Sequence, residues 1–89
     1  MKPLFFIEVT DTFGGEANYS WATRHLIRAA SVRGAVNRFS RLSGMSWRAV
    51  GCDRYDSKTG ATCFFIEQWD GDTDRLPRLN TDDRNAKGA

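Results

Sequence analysis

The sequence predicts an α+β single domain: an antiparallel four-stranded sheet with one helix packed on one face, in the order ββαββ. Three observations carry that expectation. Only one segment, Ser31 to Gly44, has apolar residues at helical spacing, with Val32, Ala35, Val36, Phe39 and Leu42 forming one stripe. Four other segments, 4–10, 19–29, 46–55 and 61–69, alternate or run in aromatic and β-branched residues, as strands do. Clusters of Gly, Asp, Asn and Ser separate most of them, and such residues favour turns.

The first strand, Leu4–Thr10, sends Phe5, Ile7 and Val9 to one face and Leu4, Phe6, Glu8 and Thr10 to the other. The stretch Asp11–Asn18, with Gly14-Gly15, is expected to be an extended hairpin loop with Phe13 at its tip. In the second strand Tyr19, Trp21, Thr23, His25 and Ile27 alternate with Ser20, Ala22, Arg24, Leu26 and Arg28. That pattern fits a sheet with one face under a helix and the other toward water. In the helix, Ser31 is placed to cap the first turn and Gly44 to end the last, with Arg33, Asn37, Arg38 and Arg41 facing outward. The third strand spans Ser46–Tyr55 and the fourth Ala61–Trp69, joined by Asp56–Gly60. A hairpin centred between Ser57 and Lys58 sets Cys52 opposite Cys63, Val50 opposite Phe65 and Arg48 opposite Glu67. Residues 1–71 then form the domain, and the polar, charge-dense 72–89 is expected to be a mobile tail.

Eighty-nine residues sit near the lower end of what supports a core, and leave little room for a deep substrate cavity. No stretch approaches the roughly 20 apolar residues of a membrane helix. The opening residues lack the apolar run of a signal peptide. These features predict a cytoplasmic chain without membrane contact, whose two Cys stay thiols in a reducing compartment. The expected oligomeric state is monomer or dimer, since an open strand edge can pair.

The residues that usually carry chemistry are poorly arranged for it. His25, Cys52 and Cys63 lack the close pairing and the fourth ligand of a tetrahedral zinc site. Neither Cys is flanked by a nucleophile signature, so core strand residues are the better account. Asp70, Asp72 and Asp74 lie in the segment expected to be mobile, where catalytic positioning fails. Phe13–Glu16 lacks the Lys and Ser/Thr of a phosphate loop. The chain is therefore expected to be no enzyme and to hold no metal or cofactor.

Charge distribution says more. Net charge is only +2, yet residues 17–52 contain six Arg and no acid, while 53–89 contain eight acids and six Lys or Arg. Exposed helices are commonly charged for solubility, but an uninterrupted basic segment also suits phosphate or carboxylate recognition. Arg24, Arg28, Arg33, Asn37, Arg38 and Arg41, with Phe13 and Glu16 of the loop, make up the candidate partner-binding surface. Tyr19, Trp21 and Phe13 either stack on bases or belong to the core, and no common RNA-module motif accompanies them.

The ββαββ order, the helix segment Ser31–Ser40 and the phrase Asp11–Trp21 resemble small phage and mobile-element proteins, among them type I anti-CRISPR inhibitors. That resemblance implies a phage-encoded, non-enzymatic inhibitor in the cytoplasm of a bacterial host. It would bind protein subunits of a type I CRISPR surveillance complex (Cascade) and block target DNA. It supplies no catalytic motif to transfer. The alternative is a small nucleic-acid-binding module using the Arg-rich helix face.

Overall fold

A computed structural model of the chain describes residues 2–85. The α+β class and the single helix are present, but the sheet has six strands and is mixed. In chain order these are β1 (Leu4–Phe13), β2 (Glu16–Arg28), α1 (Val32–Ser43), β3 (Trp47–Ala49), β4 (Arg54–Ser57), β5 (Thr62–Trp69) and β6 (Thr81–Asp82). Across the sheet the order is β3-β4-β5-β1-β2-β6, antiparallel throughout except for β6, which runs parallel to β2.

The helix forms where its stripe and caps dictate. The Ser31 hydroxyl accepts from the Gly34 amide at 3.1 Å, and Gly44, at φ 68°, donates its amide to the Ser40 carbonyl. Ala35, Val36 and Phe39 are buried against Phe5, Ile7, Val9, Ile27, Phe64 and Ile66 of the sheet. Phe39 sits at the centre, with the rings of His25, Trp47 and Phe64 at 4.7, 5.8 and 5.4 Å. Such a residue commonly contributes about 3–5 kcal/mol when its truncation leaves a cavity. Val32 and Leu42, at the two ends of the stripe, remain exposed.

Three expectations are corrected. The third strand does not run unbroken from 46 to 55: it bends at 50–53, and β3 folds back on β4 with Arg48 opposite Asp56. β4 then pairs with β5 four residues further along than expected, so Cys63 faces Asp56 rather than Cys52. An even shift keeps every side chain on its predicted face, which is why the pattern of facings did not reveal it. The first hairpin closes through only Gly14 and Gly15, both at positive φ, as two-residue primed turns require. The surplus residues that suggested a long loop are accommodated in β2 as a bulge, discussed below.

The third correction concerns the segment read as a tail. Residues 86–89 lie outside the described residues, but 80–84 dock on the sheet edge. Asn80 brackets Arg24, its amide donating to the Arg24 carbonyl at 2.7 Å and its Oδ1 accepting the Arg24 amide at 3.0 Å. Asp83 is 5% exposed and accepts the Arg28 amide at 3.0 Å and an Arg38 fork at 2.8 and 3.0 Å. Arg28 in turn donates to the Lys2 and Arg84 carbonyls at 2.6 and 2.8 Å, tying both ends of the chain to β2. Polar composition concealed this docking because it rests on charged hydrogen bonds rather than apolar area.

Burial alone would raise the Asp83 carboxyl, but the Arg38 fork and the Arg28 amide outweigh it and hold it below the usual carboxylate range. A depressed carboxyl stabilises the fold above its unfolded pKa, and that contribution is lost as pH falls through the folded value. Asp83→Ala should cost about 2 kcal/mol in urea unfolding, the usual scale for stranding buried charged donors. It should also raise amide exchange at Leu26, Arg28 and Asp83. Acidification below pH 4 should do the same to the parent protein, whereas raising the pH should not.

Candidate functional site

A helix of twelve residues at a rise of 1.5 Å is about 18 Å long. The thirteen residues of β2, at about 3.3 Å each, reach roughly 43 Å when straight. Because α1 starts just beyond the C-terminal end of β2, it covers only the half of the sheet nearest that end. The part toward the first hairpin keeps its apolar facings but has no helix over it. There the structure leaves a groove of about 280 Å³. Val9, Thr23 and Thr62 line it from the sheet, Leu42 and Met45 from the end of the helix, and Trp21 and Trp47 from β2 and β3. Trp21, Leu42 and Met45 are 44%, 50% and 40% exposed, large apolar side chains in one patch. The Thr62 hydroxyl is buried without a hydrogen-bond partner among the described residues.

The groove's shape depends on the bulge in β2. Thr10 pairs with Ala22 but Thr12 with Ala17, so residues 18–21 face a single residue, Asp11. The Asp11 carboxylate accepts from the Ser20 amide, the Ser20 hydroxyl and the Asn18 amide group at 3.0, 2.6 and 2.9 Å. The buried Thr10 hydroxyl accepts the Tyr19 amide at 2.9 Å and donates to the Trp21 carbonyl at 3.0 Å. Tyr19 is thereby held at φ 57°, a conformation a bulky residue rarely adopts. The predicted alternation survives from Trp21 to Ile27, but Tyr19 is turned to the face away from the helix, beside Glu8 and Phe65.

His25 lies at the groove's inner end. Its Nε2 meets the Thr23 hydroxyl and its Nδ1 the Thr81 hydroxyl, each at 2.9 Å, so both ring nitrogens are occupied. Burial lowers its pKa, which favours the neutral ring. Burial also pushes the Cys63 thiol up, away from thiolate character, while Cys52 is exposed in the 50–53 bend.

The eight residues expected to form one partner-binding surface are separated by the fold. Arg24 pairs with Glu8 at 2.9 Å, and Arg28 and Arg38 hold the C-terminal segment. Phe13 and Glu16 face each other at the hairpin tip, where Phe13 is 79% exposed. Arg33, Asn37 and Arg41 do share the outer helix face, and neither Arg has an ionic partner among the described residues. The groove residues Leu42, Met45 and Trp47 were not predicted as a site. Their signals were a helical stripe ending in an exposed Leu and a helix too short for its strands. Trp47 also borders a separate shallow depression with Ser46, Arg48 and Lys58, while the groove's own lining carries no Lys or Arg.

No protein-family model, curated protein or solved structure matches this chain.

The hydrogen bonds from Ser20 and then Asn18 hold the Asp11 carboxyl down at about 2. The bulge should therefore stay closed to well below pH 4 and open only as pH approaches 2. Asp11→Ala should release it at neutral pH, seen as faster exchange of the Ser20 amide and a shifted Trp21 fluorescence maximum. Unchanged exchange would show that Thr10 alone maintains it.

Proposed function

We propose that this chain is a non-enzymatic binding protein that inhibits a larger assembly by covering part of its surface. Following the resemblance noted above, the assembly is a type I CRISPR surveillance complex and the effect is loss of target DNA binding. The observation that carries the binding role is the apolar groove, with exposed Trp21, Leu42 and Met45 among its lining residues. Aromatic residues, Met and Arg are enriched where protein interfaces are buried, and a few such anchors dominate affinity. The groove suits a partner segment that presents an apolar anchor side chain. The occupied nitrogens of His25 and the raised thiol of Cys63 favour binding over chemistry.

A second reading, binding to nucleic acid, draws on Arg33 and Arg41 of the outer helix face, which have no ionic partner among the described residues. It predicts a log–log salt slope of about −0.7 to −0.9 per phosphate contacted. Arg24, Arg28 and Arg38 are engaged internally, which leaves this reading fewer cations than the sequence offered.

The test mixes the protein with purified type I surveillance complexes and follows co-elution and target DNA binding. The expected result is a stoichiometric, nuclease-resistant complex that no longer binds DNA. Trp21→Ser with Leu42→Asp should weaken it at least tenfold while leaving thermal stability nearly unchanged, since both residues are exposed. Arg33→Glu with Arg41→Glu should weaken it less and mainly slow association. Absence of any complex, with retention on bare DNA or RNA at low salt, would favour the second reading.

A further inference from the structure

The sheet face away from the helix has its own concavity, independent of the groove. Alternation along β1 and β5 places Phe6, Glu8, Phe65 and Glu67 on that face, and the register sets Phe6 opposite Glu67 and Glu8 opposite Phe65. Aromatic rings and carboxylates therefore alternate both along and across the strands. The bulge adds Tyr19 to one wall, and the 50–53 bend adds Asp53, whose carbonyl accepts the Ile66 amide at 2.9 Å. Together they enclose about 220 Å³, open to solvent, in which every charged lining residue is acidic.

We propose that this concavity docks a lysine or arginine side chain presented by a protein partner. An aromatic lining accommodates the aliphatic stem and attracts the cation through the ring faces, and the carboxylates neutralise the charged head. The protein already uses this chemistry at the edge of the same concavity. Arg54 lies with its Cζ 6.0 Å from the centre of the Phe65 ring while bonding Asp56 at 3.0 Å, and Arg24 pairs with Glu8 at 2.9 Å. Those two guanidiniums account for Asp56 and Glu8. Asp53 and Glu67 have no ionic partner among the described residues, so the charge left over is negative, and a basic side chain complements it. Arg33 and Arg41, on the outer helix face, lie outside this concavity.

The test is a titration of the full chain, ¹⁵N-labelled, with a capped hexapeptide alternating arginine and serine, and with its glutamate counterpart. The expected result is saturable shifts at the amides of Phe6, Glu8, Tyr19, Asp53, Phe65 and Glu67 with the arginine peptide only. Asp53→Asn with Glu67→Gln, conservative changes at exposed positions, should weaken binding at least fivefold and leave the spectrum otherwise folded. Arg41→Glu, on the helix side, should leave these shifts unchanged. Shifts spread equally over Glu16, Asp70 and Asp72, undiminished affinity in the double variant, or equal binding of the glutamate peptide would overturn the proposal. Success or failure here does not bear on the groove, whose residues lie on the other face.

Discussion

A twelve-residue helix cannot cover a thirteen-residue strand, because a helix advances less than half as far per residue. That mismatch of rise governs the rest of this small molecule. Over the half of the sheet that the helix does cover, Phe39 packs among His25, Trp47 and Phe64 and the core is closed to solvent. Over the other half, residues of core type line an open groove, and the chain shields them only partly with Trp21, Leu42 and Met45. The floor must stay apolar because the same strands continue into the core. The exposed rim is what a partner would meet.

Charge is partitioned by a second constraint. With little apolar area available at this length, the fold fastens its termini with guanidinium hydrogen bonds. The Arg38 guanidinium binds the Asp83 carboxylate, that of Arg28 binds the Lys2 and Arg84 carbonyls, and Arg24 and Arg54 are satisfied by Glu8 and Asp56. Arg33 and Arg41 on the outer helix face have no such partner among the described residues, and neither do Asp53 and Glu67 at the concavity on the far face of the sheet. A net charge of +2 thus conceals, among the described residues, unpaired guanidiniums on the helix and unpaired carboxylates across the sheet.

Much of this was legible beforehand. The helix, its caps Ser31 and Gly44, and the facings of the first strand follow from periodicity and capping chemistry alone. What stayed hidden was long-range. A four-residue register shift preserves every facing, so nothing in the pattern of β4 and β5 distinguishes Asp56 from Cys52 as the neighbour of Cys63. The bulge turns on one carboxylate, Asp11, receiving donors from residues seven and nine positions away. The basic segment looked like one surface because sequence shows which side chains are charged, and not that Asp83 would claim Arg38 across 45 positions or that the Lys2 and Arg84 carbonyls would claim Arg28. For the site, residue types pointed to the helix but to its outer stripe; the groove beside its last turn emerges only when the lengths of helix and strand are compared.

The most direct test of the central claim is a hydrogen-exchange footprint of the chain on the surveillance complex proposed as its partner. The account predicts protection concentrated at Leu42–Trp47 and at Trp21–Thr23, the segments that rim the groove. Protection confined to the hairpin tip at Phe13–Glu16, with the groove segments exchanging as in the free protein, would contradict it.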